Sequence, residues 1–169
     1  MAQYFLNSER LGFGHWNEGD LERAWELFGD PRLTRFVGGP FSREQVRARL
    51  QGEIAAERTH GVQYWPLFLL STGEYAGCCG LKVRPEPRCY ETGFYLKPAF
   101  HGKGYAAEAA RAVIGYAFGT LNAEALFAGH HPGNEASGAL LGKLGFARIG
   151  EEHYPPTGLE HVLYRLDRQ

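Results

Sequence analysis

The stretch AFHGKGYAAEAA, residues 99–110, decides how the rest of the chain is read. Gly102 and Gly104 alternate with Lys103 and Tyr105, and Ala106, Ala109, Ala110, Val113 and Ala117 then recur at helical spacing. The preceding segment CYETGFYLK, 89–97, is rich in strand formers. A glycine turn therefore joins the C-terminal end of a strand to the start of a helix. Main-chain N–H groups converge at such a place, and the helix dipole favours an anion there. The turn is bare either for its own geometry or so that something bulky and anionic can approach the backbone.

Upstream, RLGFG (10–14) reads as a short strand. Asn17 is expected to cap a helix over 18–28 with Leu21, Trp25 and Phe28 on one face, stopped by Asp30-Pro31. Ser42 to Gln45 forms a capping box, and Val46, Leu50 and Ile54 follow at i, i+4 and i+8. YWPLFLL, EYAGCCGLKV and CYETGFYLK, separated by turn residues, predict an antiparallel meander. Downstream, ALFAGH (125–130) is a strand. Asn134 starts a helix with Ala136, Leu140 and Leu144 inward, closed by Gly145-Phe146 as a left-handed cap. Strands near 146–150 and 161–166 finish the chain. The order predicts one domain over 1–169, with a mixed α/β (α+β) sheet of about seven strands flanked by about four helices.

The totals agree with that picture. At 169 residues, 44% hydrophobic and 14% aromatic, the chain is long enough for one packed core. A formal net charge of −1 gives no reason to expect a nucleic acid or an anionic membrane as partner. Cys78, Cys79 and Cys89 lack the spacing of a disulfide framework or a zinc site and read as thiols in a reducing compartment. MAQYFLNSER has no apolar leader, and no run approaches a membrane span, so a cytoplasmic protein is expected. The seven histidines show no ligand spacing. His130 and His131 would point to opposite faces of a strand, and no metal is expected.

Two phosphate motifs compete for the glycine turn. GKGYAA fits a loose dinucleotide fingerprint, but the acidic residue due about 20 positions on, after the next strand, is missing: Glu124 precedes that strand. The strands before it form a meander, which disfavours a nicotinamide site further. A Walker loop needs Ser or Thr after Gly-Lys, and none follows.

HGKGYA resembles the phosphate loop of the GCN5-related N-acetyltransferases, R/Q-x-x-G-x-G/A. ETGFYLKPAFHGKGYAAEAA, HPGNEAS and LGKLGF, in that order, are similar to the RimJ/RimL-like branch, which acetylates protein N-termini. SERL (8–11), Asp30-Pro31 and Gly38-Gly39-Pro40 share the branch's texture, so the resemblance spans nearly the whole chain. It implies a GNAT-like, mostly antiparallel sheet and acetyl-CoA as co-substrate, with no metal. The implied acceptor is a primary amine, either a protein N-terminus or a small molecule. A non-catalytic acyl-CoA-binding module is the alternative, and a homodimer is expected by analogy alone.

The resemblance also implies roles for named residues. Main-chain groups of Phe94, Tyr95 and Leu96 would hold the pantetheine arm where the central strand splays, one N–H polarising the thioester carbonyl. His101, Gly102, Lys103, Gly104, Tyr105 and Ala106 would cradle the pyrophosphate. His101 replaces the usual Arg or Gln, so coenzyme binding is expected to tighten below pH ~6.5 as an imidazole protonates. Asn134 would lie beside the coenzyme arm and serves equally as a helix N-cap. Glu91 matches the carboxylate that relatives use as base, and Ser137 matches a catalytic serine of the branch. Leu141 stands where many relatives carry the tyrosine that protonates the departing thiolate. The Phe36–Phe41 loop, Tyr64-Trp65 and 151–160 would set acceptor specificity.

Overall fold

The structure is a computed structural model and describes residues 3–169; Met1 and Ala2, the first two residues of the segment MAQYFLNSER, lie outside the described residues. Eight strands form one sheet: β1 (Leu6–Asn7), β2 (Leu11–Phe13), β3 (Tyr64–Leu69), β4 (Tyr75–Val83), β5 (Cys89–Leu96), β6 (Ala125–His130), β7 (Ala147–Tyr154) and β8 (Leu159–Asp167). The order across the sheet is β1-β2-β3-β4-β5-β6-β8-β7. Every neighbouring pair is antiparallel except β5 and β6. That pair is parallel because α4 (Tyr105–Gly119) is the crossover that an in-line connection requires. The eighth strand, one more than expected, is β1, whose two residues are too few to carry a sequence signal.

The sheet separates two apolar layers. Ala109, Val113 and Ala117 of α4 pack with Leu81, Leu96, Leu126 and Leu141 on one face. On the other, α1 (Leu21–Phe28) and α3 (Arg43–His60) pack with Trp16, Tyr64, Tyr75 and Cys78. Alanines on α4 let the helix lie close to the strand whose end it follows. The α3 stripe buries Val46, Leu50 and Ile54 as its spacing predicted, and its capping box forms in both directions, at 3.1 and 2.8 Å.

Three local expectations are corrected. Asn17 does not cap α1: its Oδ1 accepts the Gly19 N–H at 3.0 Å, while Asp20 Oδ2 accepts the Asn17 N–H at 2.9 Å. These side chains close a turn instead, and the helix begins at Leu21 with Ala24, Leu27 and Phe28 buried. Asp30-Pro31 ends one helix and also opens another, α2 (Pro31–Thr34). There Asp30 Oδ1 accepts the Arg32 N–H at 2.8 Å, and proline occupies the first turn, where its missing N–H costs nothing. On α5 (Glu135–Lys143) the fully buried residue is Leu141, whereas Ala136 is exposed. The cap behind α5 forms as expected: Gly145 has φ 93°, and buried Phe146 donates to the Leu141 carbonyl at 3.0 Å.

Candidate active site

The glycine turn lies between a short 3-10 turn at Pro98–Phe100 and the start of α4. Gly102 has φ 73° and Gly104 φ 80°, and a Cβ added at Gly102 would meet nothing within 4 Å. Glycine is therefore required by backbone handedness and not by lack of room. Gly104 occupies the N-cap position with no side chain to satisfy the first turn. Among the described residues, the N–H groups of Gly102, Lys103, Gly104, Tyr105 and Ala106 have no intramolecular acceptor. They form an unspent row of donors at the positive end of a helix.

The turn is braced from outside, by residues to which the sequence reading assigned no role in the site. Arg10 Nη1 donates to the Lys103 carbonyl at 3.0 Å, and its guanidinium lies 4.2 Å from the Tyr105 ring centre. Glu108, one turn into α4, accepts from the Ser8 hydroxyl at 2.6 Å, the Arg10 N–H at 2.7 Å and Arg10 Nε at 2.7 Å. Partial burial pushes the Glu108 carboxyl up, but these donors outweigh it and hold it below its ordinary range. His101 Nε2 lies 2.8 Å from the Leu96 carbonyl. A carbonyl only accepts, so this nitrogen donates, and the ring ties the turn back to the strand end.

β5 and β6 pair only at Cys89↔Ala125, Tyr90↔Leu126 and Glu91↔Phe127, and then diverge. On its other edge β5 stays paired with β4 as far as Leu96. The Lys97 N–H donates to the Ala76 carbonyl, so alternation along the ladder turns the main chain of Tyr95 toward Cys78. Phe94 and Leu96 turn theirs into the opening beside β6. Among the three strand residues, then, Phe94 and Leu96 present main-chain groups there, with the Leu96 carbonyl taken by His101. The opening leads to the N–H row. This donor set fits an extended ligand that is polar along its length and anionic at one end.

The opposite face of the opening is a cleft of about 730 Å³. Glu91 points into it, its side chain 32% exposed, with Oε2 3.4 Å from Arg84 Nη1. Arg84 also holds Glu152 at 3.1 Å and Glu86 at 3.3 Å, and it stacks on Phe127. Burial raises the Glu91 carboxyl above the ordinary range against the pull of Lys82 and Arg84, which makes it a stronger base than a free glutamate. Across the cleft Arg49 pairs with Glu53 at 2.9 Å, and Glu53 Oε2 takes the Tyr64 N–H at 2.7 Å. Burial pushes the Tyr95 phenol up to about 12, so it stays neutral.

Asn134 caps α5, its Oδ1 accepting the Ser137 N–H at 3.3 Å, and Ser137 and Leu141 line the cleft with it. His130 and His131 face opposite sides of the sheet, as alternation predicts: His130 reaches Gly138 and Tyr164, whereas the His131 ring lies 5.0 Å from Phe36. Both line the cleft, which runs through the opening between β5 and β6. His161 lies on the His131 side, its ring 5.4 Å from that of His131 and 4.3 Å from that of Tyr154, with Nε2 2.8 Å from Thr157 Oγ1. Burial and the two neighbouring histidines hold the His161 imidazole below its ordinary range. Among the described residues no group of three or more His, Cys, Asp or Glu side chains is placed to hold a metal ion. The three cysteines are buried free thiols, and no described helix is long and apolar enough to cross a membrane.

Residues 10–147 match the family model of the acetyltransferase (GNAT) domain. The chain is 31% identical over 133 residues to the Bacillus subtilis protein YkkB, covering 78% of this chain and 74% of that one. It is 29% identical to the FsC-acetyl coenzyme A-N(2)-transacetylase of Aspergillus fumigatus, covering 99% and 78%. Among solved structures, an acetyltransferase from Agrobacterium tumefaciens superposes with TM-score 0.82 at 28% identity, over 99% of both chains. RimL, the ribosomal L7/L12 alpha-N-protein acetyltransferase, shares the fold with TM-score 0.82 at 18% identity, over 99% and 96%. The glycine turn opening a helix, the strands that part in front of it and the match over 138 residues lead to one conclusion: the chain belongs to the GNAT acetyltransferase family and is an acetyl-CoA-dependent N-acetyltransferase.

Proposed function

We propose that the chain transfers an acetyl group directly to a primary amine, with the α-amine of a protein N-terminus as the leading acceptor. The observation that carries this reading is the opening between β5 and β6, which joins an N–H row on one side to a carboxylate on the other. Acetyl-CoA, when bound, supplies an activated acyl thioester. Gly102, Lys103, Gly104, Tyr105 and Ala106 bind its pyrophosphate through main-chain N–H groups, and Lys103 adds a cation. His101 fixes the turn to the strand. Phe94 and Leu96 hold the arm through their main chain, one N–H being aimed at the carbonyl oxygen. Tyr95 contributes its ring to the acceptor side. Asn134 and Ser137 orient the arm from the start of α5.

Glu91 takes a proton from the amine, directly or through one water. An α-amine has an ordinary pKa near ~7.7–8, against ~10.4 for a lysine side chain, so it needs the least help. Glu91 and Glu152 give the cleft the sign that draws a cationic amine. One observation favours a compact acceptor as a second reading. Phe36 lies 5.0 Å from the His131 ring, and a Cβ on Gly38 would meet the Pro156 carbonyl at 2.7 Å, so the loop after α2 roofs the cleft.

The test is thermal stability with acetyl-CoA, CoA and NAD, followed by thiol release with a free-N-terminal serine peptide and a panel of small amines. A ligand at ~100 times its dissociation constant adds roughly 2.7 kcal/mol, so both CoA ligands should raise Tm and NAD should not. No shift with millimolar CoA overturns the site, and thiol release with small amines alone overturns the N-terminal acceptor.

A further inference from the structure

We propose that the Tyr164 hydroxyl, held against His130 beneath Gly138, protonates the departing coenzyme A thiolate. The inference rests on the reading above, in which the opening between β5 and β6 takes the pantetheine arm.

It begins with a glycine that the helix would be better without. Gly138 lies in α5, where glycine costs roughly 1 kcal/mol relative to alanine. Gly142, one turn on, has open space around its missing Cβ. At Gly138 a Cβ would stand 2.8 Å from His130 Nε2 and 3.1 Å from Tyr164 Oη. The helix is bare where these two polar side-chain tips reach it.

Those tips are organised. His130 is 9% exposed, and its Nδ1 lies 2.7 Å from the His131 carbonyl. That oxygen only accepts, so Nδ1 carries the proton and the neutral ring offers a lone pair at Nε2. Tyr164 Oη lies 3.3 Å from Nε2, a long contact that leaves the hydroxyl free to rotate toward a better acceptor. β8 sets Tyr164 opposite Ala128, two residues before the end of β6, and β6 is one wall of the opening. Ser137 and Leu141, both lining the cleft, lie one residue before and three after Gly138 on α5. The hydroxyl is thus within about one helical turn of Leu141, whose apolar, 1% exposed side chain has no proton to give. Of the two hydroxyls nearby, a phenol is a far stronger acid than an aliphatic alcohol, which suits it better to a thiolate.

The step balances. The amine nitrogen forms the new C–N bond to the acetyl carbon as the C–S bond breaks, and the electron pair of that bond leaves on sulfur. The Tyr164 proton goes to the sulfur, the proton lost by the amine goes to Glu91, and the phenolate recovers a proton from solvent.

The experiment needs no acceptor. Free CoA is titrated bound to the enzyme, following the ultraviolet absorbance of the thiolate against pH. A hydroxyl donating to sulfur stabilises the thiolate, so wild-type enzyme should ionise bound CoA at lower pH than free CoA, and Tyr164→Phe should raise that midpoint by about one unit. Acetyl-CoA, which has no ionisable sulfur, should bind both proteins alike. Gly138→Ala, whose methyl displaces both tips, should raise the midpoint in the same direction and serves if Tyr164→Phe fails to fold. Bound CoA that titrates identically in wild type and variants overturns the inference while leaving the CoA site intact. Failure of the wild type to bind CoA overturns the site reading and the inference with it.

Discussion

The two sides of the opening are built on different physical bases. The coenzyme side is main chain: N–H groups of residues 102–106, adjacent in sequence and aligned by two positive-φ glycines. The acceptor side is side chains drawn from four elements, with Arg49 and Glu53 on α3, Glu91 on β5, Glu152 and Tyr154 on β7, and His161 on β8. A contiguous main-chain site tolerates most changes of side chain and depends on backbone conformation. A dispersed side-chain site depends on packing and on the field of its neighbours. The lesson is that the two walls should fail differently, one in coenzyme affinity and the other in rate and pH dependence.

The largest expected effect is on the acceptor wall. Glu91→Gln should lower kcat/KM by roughly 100-fold or more, as loss of a general base does, while leaving acetyl-CoA affinity unchanged. In the wild type the raised Glu91 carboxyl places the acid limb of the rate profile above the ordinary carboxylate range, since the base works only when ionised. A pH–rate profile with its acid limb unchanged in Glu91→Gln would remove this residue from the mechanism.

On the coenzyme wall the expected effect is smaller and of another kind. Gly104→Val forces a β-branched residue to φ 80° and should weaken CoA binding about 5- to 30-fold by calorimetry, from roughly 1–2 kcal/mol of backbone strain. Lys103→Ala alters no main-chain donor and should cost much less. Equal losses in the two variants would mean that charge, not the N–H row, holds the phosphates.

The smallest effect concerns stability. The folded protein holds the His161 imidazole below its unfolded value, so the unfolded chain binds the proton first. Stability should therefore fall as pH drops below about 6.5 toward the folded value, and be complete above it. His161→Asn should flatten that part of the Tm–pH curve. An unchanged slope would assign the acid sensitivity to other groups.

The contrast also explains what was legible beforehand. The turn and its helix were readable because glycine spacing and alanine periodicity are local, and the cap of α5 at Gly145-Phe146 for the same reason. Glu91 was found by motif, but not Arg84, 7 residues away in sequence and bonded to it from the adjoining strand end. Arg10 and Glu108 lie in quoted stretches, but nothing in either says that they pair across 98 residues. The opposite facing of His130 and His131 was legible too, because strand alternation carries one residue past the end of β6.

The sequence by itself determined the element order, the helix faces of α3 and α4, and the place of an anion-binding turn, because these follow from backbone chemistry and short-range periodicity. Only the tertiary structure decided where β5 and β6 part, which side chains share the cleft, and why Gly138 is bare. Those depend on strand register and on contacts between distant residues, and a linear pattern carries neither.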